Sequence, residues 1–297
     1  MKILLFGKNG QVGWELQRSL APLGKVIALG SDSQDYCGDF TNLQGLAETV
    51  RQIKPDIIVN AAAHTAVDKA ESETELAQTI NTDAPSILAR EAKLLNAWLI
   101  HYSTDYVFDG SGSTPWVETD ATAPLGVYGA TKLAGEQAIQ ASGCKHLIFR
   151  TSWVYGARGN NFAKTMLRLA QDRNSLSVIN DQIGAPTGAD LLADVTAHAI
   201  RTVQSKKELS GLYHLVASGE TSWHGYASYV IDTAQKMGQE LKTSTEAINP
   251  VPTSAFPTPA ERPKNSRLNT DKLQNNFGLN LPEWQSGVAR MLSEALN

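Results

Sequence analysis

The sequence has little of three things: cysteine, clustered basic charge and long apolar runs. Cys37 and Cys144 are the only cysteines among 297 residues and have no metal-ligand spacing, which favours reduced thiols in a cytoplasmic protein. The formal net charge is −4 and no basic run occurs, which argues against nucleic acid as a partner. No stretch reaches the roughly 20 apolar residues of a membrane helix. The apolar start at Ile3–Phe6 is too short for a signal peptide.

Hydrophobic residues make up 42% of the chain, which is enough for a sizeable core. Short apolar runs without polar alternation predict buried parallel strands, separated by amphipathic segments that predict helices. These patterns predict an α/β fold: a Rossmann-type doubly wound parallel sheet with a smaller C-terminal substrate-binding lobe. We expect a dinucleotide-binding domain at 1–155, extended by the helix and strand near 189–215, and a lobe built mainly from 156–297. The predicted strands lie at 2–6, 25–29, 56–60, 98–102 and 146–150.

A glycine-rich segment joins the first strand to the first helix. Its spacing is G-x-x-G-x-x-G, which differs from the better-known G-x-G-x-x-G dinucleotide fingerprint. Glycines allow a tight turn and bring the backbone close to a pyrophosphate at a helix N-terminus. A glycine triplet is often only a loop, but its place between strand and helix favours cofactor binding. The predicted cofactor residues here are Gly7, Asn9, Gly10, Gln11, Val12 and Gly13.

The second strand ends in Gly30, a predicted cofactor residue, and Ser31 and Asp32 follow it. An acidic residue at this strand end holds the ribose 2′-hydroxyl of NAD, whereas an arginine nearby accommodates the 2′-phosphate of NADP. No arginine lies beside Gly30, so the sequence does not choose between NADH and NADPH. Asp39 and Phe40 suit the edge and face of an adenine, although Asp39 could instead cap the following helix.

Small and polar residues follow the third and fourth strands. In doubly wound sheets, ligands lie outside the carboxyl ends of the strands. Ser103 and Thr104 could hydrogen-bond a substrate oxygen, or serve only as turn residues. His64 could be catalytic, but a loop histidine that is hydrogen-bonded to backbone groups is more common. The predicted cofactor residues at these strand ends are Ala62, Ala63, His64, Thr65 and Tyr102.

Tyr128 and Lys132 lie four residues apart in a predicted helix, which places them on one face. A cation near a phenol favours the phenolate, so the pair could exchange a proton with a carbonyl oxygen near neutral pH. Such spacing also occurs by chance on amphipathic surface helices. Its interpretation as a catalytic pair therefore depends on the surrounding motifs.

The order and spacing of these motifs resemble the extended short-chain dehydrogenase/reductase family over nearly the whole chain. Within that family, three longer motifs are similar to those of enzymes that reduce dTDP-linked 4-keto sugars: Ser103–Gly110, Arg150–Gly156 and Asp181–Thr187. Related dehydratases carry Thr-Asp-Glu where this chain has Thr104-Asp105-Tyr106. The missing glutamate removes an acid/base group needed for elimination and favours a reductase.

The resemblance implies NAD(P)H-dependent reduction of the C4 ketone of dTDP-4-dehydro-β-L-rhamnose to dTDP-β-L-rhamnose, for cell-surface polysaccharide. It implies that Tyr128 protonates the oxygen, that Lys132 lowers the tyrosine pKa and holds the nicotinamide ribose, and that Thr104 orients the substrate. Arg262 suits the diphosphate, although a surface loop charge is equally compatible. The implied substrate-binding residues are Thr104, Asp105, Tyr128, Trp153 and Arg262.

The resemblance further implies a homodimer, with Mg²⁺ held by Glu15, Asp190 and Glu294. Asp190 is shorter than the glutamate usual at its position, and scattered acids more often lie free in solvent. Two other interpretations stay open at this point. One is a nucleotide-sugar epimerase or dehydratase of the same fold, and the other is a non-enzymatic regulatory subunit.

Overall fold

The computed structural model describes residues 1–296. None of the helices in this range combines the length and apolar character needed to cross a membrane. The strands are Lys2–Phe6 (β1), Lys25–Leu29 (β2), Ile57–Asn60 (β3), Trp98–Thr104 (β4), Lys145–Thr151 (β5), Val154–Tyr155 (β6), Leu176–Ile179 (β7), Ile183–Gly184 (β8), Thr187–Gly188 (β9), Gly211–His214 (β10), Thr221–Ser222 (β11) and Ile248–Val251 (β12). The helices are Gln11–Leu20 (α1), Leu43–Ile53 (α2), Val67–Ala70 (α3), Thr74–Gln78 (α4), Ala84–Leu95 (α5), Val127–Ser142 (α6), Phe162–Asp172 (α7), Ala189–Val203 (α8), Trp223–Lys236 (α9), Asp271–Phe277 (α10) and Trp284–Leu296 (α11).

Six parallel strands form the central sheet in the order β10-β5-β4-β3-β1-β2. The chain runs from β1 to β2 on one side and then returns to β3 on the other, so the strand order reverses at β1. In open α/β sheets a ligand crevice lies at such a reversal, outside the carboxyl ends of the strands. The predicted doubly wound parallel sheet is therefore confirmed.

Both faces of the sheet are covered, which explains why its strands lack polar alternation. Ile3 and Leu5 of β1 belong to an apolar cluster with residues of α1, α8 and α10. Leu4 and Phe6 point to the opposite face and join a cluster with residues of α2, α5 and α6. All four side chains are fully buried, so β1 forms the middle of a three-layer core.

The C-terminal segments build a second packing centre and also return to the sheet. Helices α7, α9 and α11 pack around Tyr226 and Trp284, and β7 pairs with β12 beside them. Strand β10 pairs with β5, and Leu192 of α8 packs in the same cluster as Leu16 of α1. The assignment of functions to residues 1–155 and 156–297 stays a prediction.

The turn after β1 depends on a close backbone approach. Gly7 has φ of +86°, and a Cβ there would lie 2.7 Å from backbone atoms of Ala61 and Ala62. Gly238 has the same φ, but a Cβ there would meet nothing within 4 Å. Of these two glycines, only Gly7 combines a conformation unfavourable for other residues with a steric clash.

We expect Gly7→Ala to lower the free energy of unfolding by about 2–5 kcal/mol, from left-handed strain plus overpacking. Gly238→Ala, the matched control, should lose only the strain contribution of about 1–2 kcal/mol. Urea denaturation of both variants measures the difference. Equal losses would show that the approach of Gly7 to β3 has no energetic importance.

Candidate active site

A cleft of about 660 Å³ opens at the carboxyl ends of β1 to β5. It lies at the point where the strand order reverses, as the fold requires for ligand binding. Most of the site residues predicted from the sequence meet here, although they come from distant parts of the chain. They are Gly7, Asn9, Gly10, Gln11, Val12, Gly30, Asp39, Phe40, Ala62, Ala63, Thr65, Tyr102, Thr104, Asp105, Tyr128, Lys132 and Trp153.

The glycine-rich turn directs the amino end of α1 into this cleft. Gly10 is the N-cap, and no side chain caps the first turn, so its backbone N–H groups stay available for an anion. Gly13 does not line the cleft. A Cβ at Gly13 would overlap the Gly7 carbonyl, so this glycine serves close packing inside the turn. The geometry therefore suits a pyrophosphate at the start of α1.

Lys132 is buried and reaches β4. Its Nζ donates a hydrogen bond to the Tyr102 carbonyl oxygen at 2.6 Å and lies 3.3 Å from His101 Nε2. Burial disfavours the ammonium form and lowers the pKa of Lys132 to about 8, while the negative charge of Glu136 opposes this shift. The amine can therefore exchange a proton close to neutral pH.

The two residues behind this lysine were not predicted from the sequence. His101 Nδ1 lies 3.0 Å from Asn60 Nδ2, and Asn60 Oδ1 accepts the backbone N–H of Ala62. Burial and the charge of Lys132 hold the pKa of His101 well below its ordinary value, so the imidazole is neutral. The sequence does carry a signal for this pair, because Asn60 and His101 are polar residues in otherwise apolar strands. The register of β3 and β4 places them opposite each other.

Tyr128 lies one turn before Lys132, with its ring edge-on to Tyr106 at 5.5 Å between centroids. Desolvation raises the pKa of the Tyr128 phenol, and the hydrogen bond with Thr104 opposes the shift only in part. The expectation that Lys132 makes the phenolate easier to form is wrong for this structure. The lysine amine is directed to β4, and burial dominates at the phenol, so Tyr128 keeps its proton at neutral pH.

Thr104 and Asp105 lie beside the phenol at the end of β4. The Thr104 hydroxyl donates to Asp105 Oδ1 at 3.1 Å and accepts the Tyr106 backbone N–H at 3.2 Å. Asp105 is 2% exposed. Burial raises the pKa of its carboxyl to about 6, against hydrogen bonds from Ser266 and Thr104. Near pH 6 this carboxyl can therefore be either a donor or an acceptor.

Aromatic rings close the cleft on the side of the C-terminal lobe. Trp153 has φ of +50°, and its ring stacks on Trp223 with centroids 3.6 Å apart. Phe162 packs against Trp223 and Tyr226 within the core of the lobe. The positive φ at Trp153 is unusual for a bulky residue, and such conformations cluster at functional sites. Trp153 thus presents a ring to the cleft, whereas Phe162 stabilises the lobe.

Two further predicted site residues, His64 and Arg262, are not among the residues that line the cleft. His64 Nε2 lies 2.8 Å from Glu73 Oε2, and Asn81 holds the His64 backbone, so the imidazole does not face the cleft. Arg262 donates to Asp68 Oδ2 at 2.7 Å. Both side chains are thus paired with acids of the chain, and the roles predicted for His64 in cofactor binding and for Arg262 at the diphosphate stay predictions.

The three acids proposed for Mg²⁺ are paired with arginines. Glu15 lies 3.3 Å from Arg18, while Asp190 and Glu294 lie 3.6 and 3.2 Å from Arg290. Within residues 1–296, no group of three or more histidine, cysteine or acidic side chains could hold a metal ion. These residues therefore do not fit a magnesium site in one chain.

The parallel sheet, the glycine turn at its reversal point and the polar strand ends define a Rossmann-type oxidoreductase. A family model described as "RmlD substrate binding domain" matches residues 1–297. A curated dTDP-4-dehydrorhamnose reductase from Shigella flexneri is 66% identical over 294 residues, covering 99% of this chain and 98% of the relative. The chain therefore belongs to the dTDP-4-dehydrorhamnose reductase family, and the prediction of a reductase is confirmed.

Solved structures support this assignment. A dTDP-4-dehydrorhamnose reductase from Clostridium acetobutylicum has a TM-score of 0.89 at 35% identity, covering 100% of both chains. Another, from Bacillus anthracis and in complex with NADP, has a TM-score of 0.87 at 36% identity, covering 99% of both.

Asp105 generates a testable pH effect on stability. Because its folded-state pKa is near 6 rather than 3.8, the folded state binds the proton more tightly than the unfolded state. The contribution of Asp105 to the free energy of unfolding is fully present below about pH 4 and is lost as the pH rises through about 6. Between about pH 4 and pH 6, the free energy of unfolding of Asp105→Asn should therefore rise by up to about 3 kcal/mol relative to that of wild type.

Urea denaturation at about pH 4.5 and about pH 7.5 measures this change. Asp172→Asn, at the exposed end of α7, is the control and should show no such difference. If the free energies of unfolding of Asp105→Asn and wild type differed by the same amount at both pH values, the raised pKa of Asp105 would be contradicted.

Proposed function

We propose that the chain reduces the C4 ketone of dTDP-4-dehydro-β-L-rhamnose to dTDP-β-L-rhamnose, using NADPH or NADH. One observation carries this proposal: Thr104, Tyr128 and Lys132 meet in the same cleft as the glycine turn. The names of the relatives supply the substrate, and the Bacillus anthracis complex with NADP supports the cofactor. The product would serve dTDP-rhamnose synthesis for cell-surface polysaccharide such as lipopolysaccharide.

The nicotinamide, when bound, supplies the hydride. Tyr128 supplies the proton: its phenol O–H bond breaks and an O–H bond forms on the former ketone oxygen. The raised pKa of Tyr128 keeps that proton in place until the oxygen gains negative charge. The Thr104 hydroxyl orients the same oxygen. Lys132, with a pKa of about 8, then takes part in returning the proton to Tyr128.

The two ends of the cleft suit the two ligands. The amino end of α1 and the Asp39-Phe40 pair support placement of the pyrophosphate and adenine of the dinucleotide. Trp153 and Asp105 support placement of the sugar on the opposite side. In this proposal Arg262 reaches the diphosphate only by leaving Asp68, from which it is 2.7 Å away.

The enzyme is a cytoplasmic homodimer, as the resemblance implies, and acts on a small-molecule nucleotide sugar. No step is assigned to Mg²⁺, because Arg290 is paired with both Asp190 and Glu294.

Cofactor consumption separates the reductase from an epimerase or dehydratase of the same fold. We expect one NADPH or NADH to be oxidised per 4-keto sugar reduced, because no later step in the proposed reaction returns the hydride. Absorbance of the reduced cofactor should be followed with dTDP- and UDP-linked 4-keto sugars, together with product analysis. Sugar conversion without net cofactor loss would favour the epimerase or dehydratase.

Tyr128→Phe tests the proposed proton donor. We expect turnover to fall by about 10²–10⁴, since proton transfer by a positioned acid contributes about this factor. Cofactor affinity should be retained, because the ring remains. Tyr213→Phe is the matched control, since it removes a hydroxyl that bonds the Leu209 carbonyl oxygen outside the cleft. Near-normal turnover in Tyr128→Phe would refute the role.

A further inference from the structure

A chain of hydrogen-bonding groups leads from the loop after β3 to the amine of Lys132. The Ala62 backbone N–H donates to Asn60 Oδ1 at 3.0 Å. Asn60 Nδ2 lies 3.0 Å from His101 Nδ1, and His101 Nε2 lies 3.3 Å from Lys132 Nζ. The side chains of Asn60, His101 and Lys132 are 1%, 0% and 2% exposed. Because so little solvent reaches them, their donors and acceptors have to match one another.

The backbone sets the direction of these hydrogen bonds. A backbone N–H can only donate, so the Asn60 atom that faces Ala62 is the amide oxygen. The amide nitrogen therefore faces His101 and donates to Nδ1. Burial and the charge of Lys132 hold the pKa of His101 well below its ordinary value, so the imidazole is neutral. A neutral imidazole carries one ring proton, and that of His101 therefore lies on Nε2.

The Nε2–H group of His101 faces the Lys132 amine, and this contact depends on the charge of the lysine. A neutral amine has an electron pair, so it can accept this N–H while it donates to the Tyr102 carbonyl oxygen at 2.6 Å. An ammonium group has only donors, so two donors would face each other. The other tautomer would merely move the conflict to Nδ1–H and the Asn60 amide N–H. All of these groups are satisfied together only when Lys132 is neutral.

The other ionisable groups around Lys132 do not oppose its charge. Glu136, one turn later on α6, favours the ammonium form, although its carboxylate is paired with Arg150 of β5 at 2.6 Å. Tyr128, one turn earlier, has a raised pKa and keeps its proton at neutral pH. Of these neighbours, His101 of β4 is therefore the one whose polar hydrogen disfavours the ammonium form.

We propose that Asn60 and His101 are positioning residues that favour the neutral form of Lys132. The Ala62 backbone orients the Asn60 amide, the amide selects the Nε2–H tautomer, and that tautomer donates to the neutral amine. In the proposed function, an N–H bond of the Lys132 ammonium breaks as an O–H bond forms again on Tyr128. The electron pair left on Nζ then accepts the His101 N–H, which makes release of the proton easier. This consequence rests on the proposed function, whereas the tautomer does not.

Nuclear magnetic resonance of protein labelled with ¹⁵N-histidine tests the tautomer without substrate or turnover. Protonated and unprotonated ring nitrogens have well-separated chemical shifts, so the spectrum identifies the nitrogen that carries the proton. The His101 signals are assigned by their loss in His101→Gln or, by elimination, from single variants of the other histidines. We expect the proton on Nε2 at pH values below and above the titration of Lys132.

Asn60→Ala removes the amide that selects the tautomer and adds no charge. The His101 ring should then follow the lysine: Nδ1–H while the ammonium donates to Nε2, and Nε2–H once the amine is neutral. We expect this change of tautomer with pH in the variant and not in wild type. The Lys132 midpoint, measured with ¹³C at Cε, should rise by about one pH unit, the size expected for one hydrogen bond.

Asn60→Asp forces the other tautomer. One carboxylate oxygen can still accept the Ala62 N–H, while the second places an acceptor against His101 Nδ1. We expect the Nδ1–H tautomer both below and above the titration of Lys132. The Lys132 midpoint should rise further than in Asn60→Ala, because the carboxylate also adds negative charge.

Asn265→Ala is the matched control. Asn265 is also 1% exposed, and its amide oxygen accepts the Arg267 backbone N–H. Its amide nitrogen, however, donates to the Thr114 carbonyl oxygen at 2.9 Å rather than to a histidine. The variant therefore loses a buried amide of the same kind, and it should keep the wild-type tautomer of His101 and the wild-type midpoint of Lys132.

Two results would overturn the proposal. Wild type could carry the His101 proton on Nδ1, or Asn60→Ala could keep both the tautomer and the Lys132 midpoint of wild type. Either result would leave reduction of the sugar intact. Conversely, a chain with the expected tautomers that oxidises no cofactor in the presence of a 4-keto sugar would refute the proposed function alone. The two failures are therefore distinguishable.

Discussion

The hydrogen bond from the Lys132 amine to the Tyr102 carbonyl oxygen is the contact on which the catalytic arrangement depends. It joins α6 to the end of β4 at 2.6 Å in an environment with almost no solvent. Burying an amine without a hydrogen-bond partner would cost free energy. The helix can therefore approach the sheet only where the Lys132 amine finds an acceptor. Its placement fixes Tyr128 one turn earlier, above the ends of the strands.

The next turn of α6 repeats this arrangement with a second buried contact. Glu136 and Arg150 are 1% and 4% exposed, and their side chains meet at 2.6 Å. The helix is thus tied to β4 through Lys132 and to β5 through Glu136. Pairs of this kind contribute less to net stability than to a defined arrangement, since their desolvation offsets much of their attraction. A defined position of Tyr128 is what proton transfer requires.

Local patterns were sufficient for the sheet, the glycine turn and the Tyr128–Lys132 pair, because apolar runs, glycines and helical spacing act over a few residues. The raised pKa of Tyr128 could not be predicted, since it depends on burial by the whole fold. The pairing of Arg262 with Asp68 spans 194 residues, and no local pattern encodes it. The contact between Asn60 and His101 likewise depends on β3 lying beside β4.

Burial makes Lys132 a weaker base than an exposed lysine. Nuclear magnetic resonance of lysine labelled with ¹³C at Cε measures this directly, with the Lys132 signal assigned from its loss in Lys132→Met. We expect a titration with a midpoint near pH 8 in the folded protein. A midpoint near the ordinary value of 10.5 would contradict it.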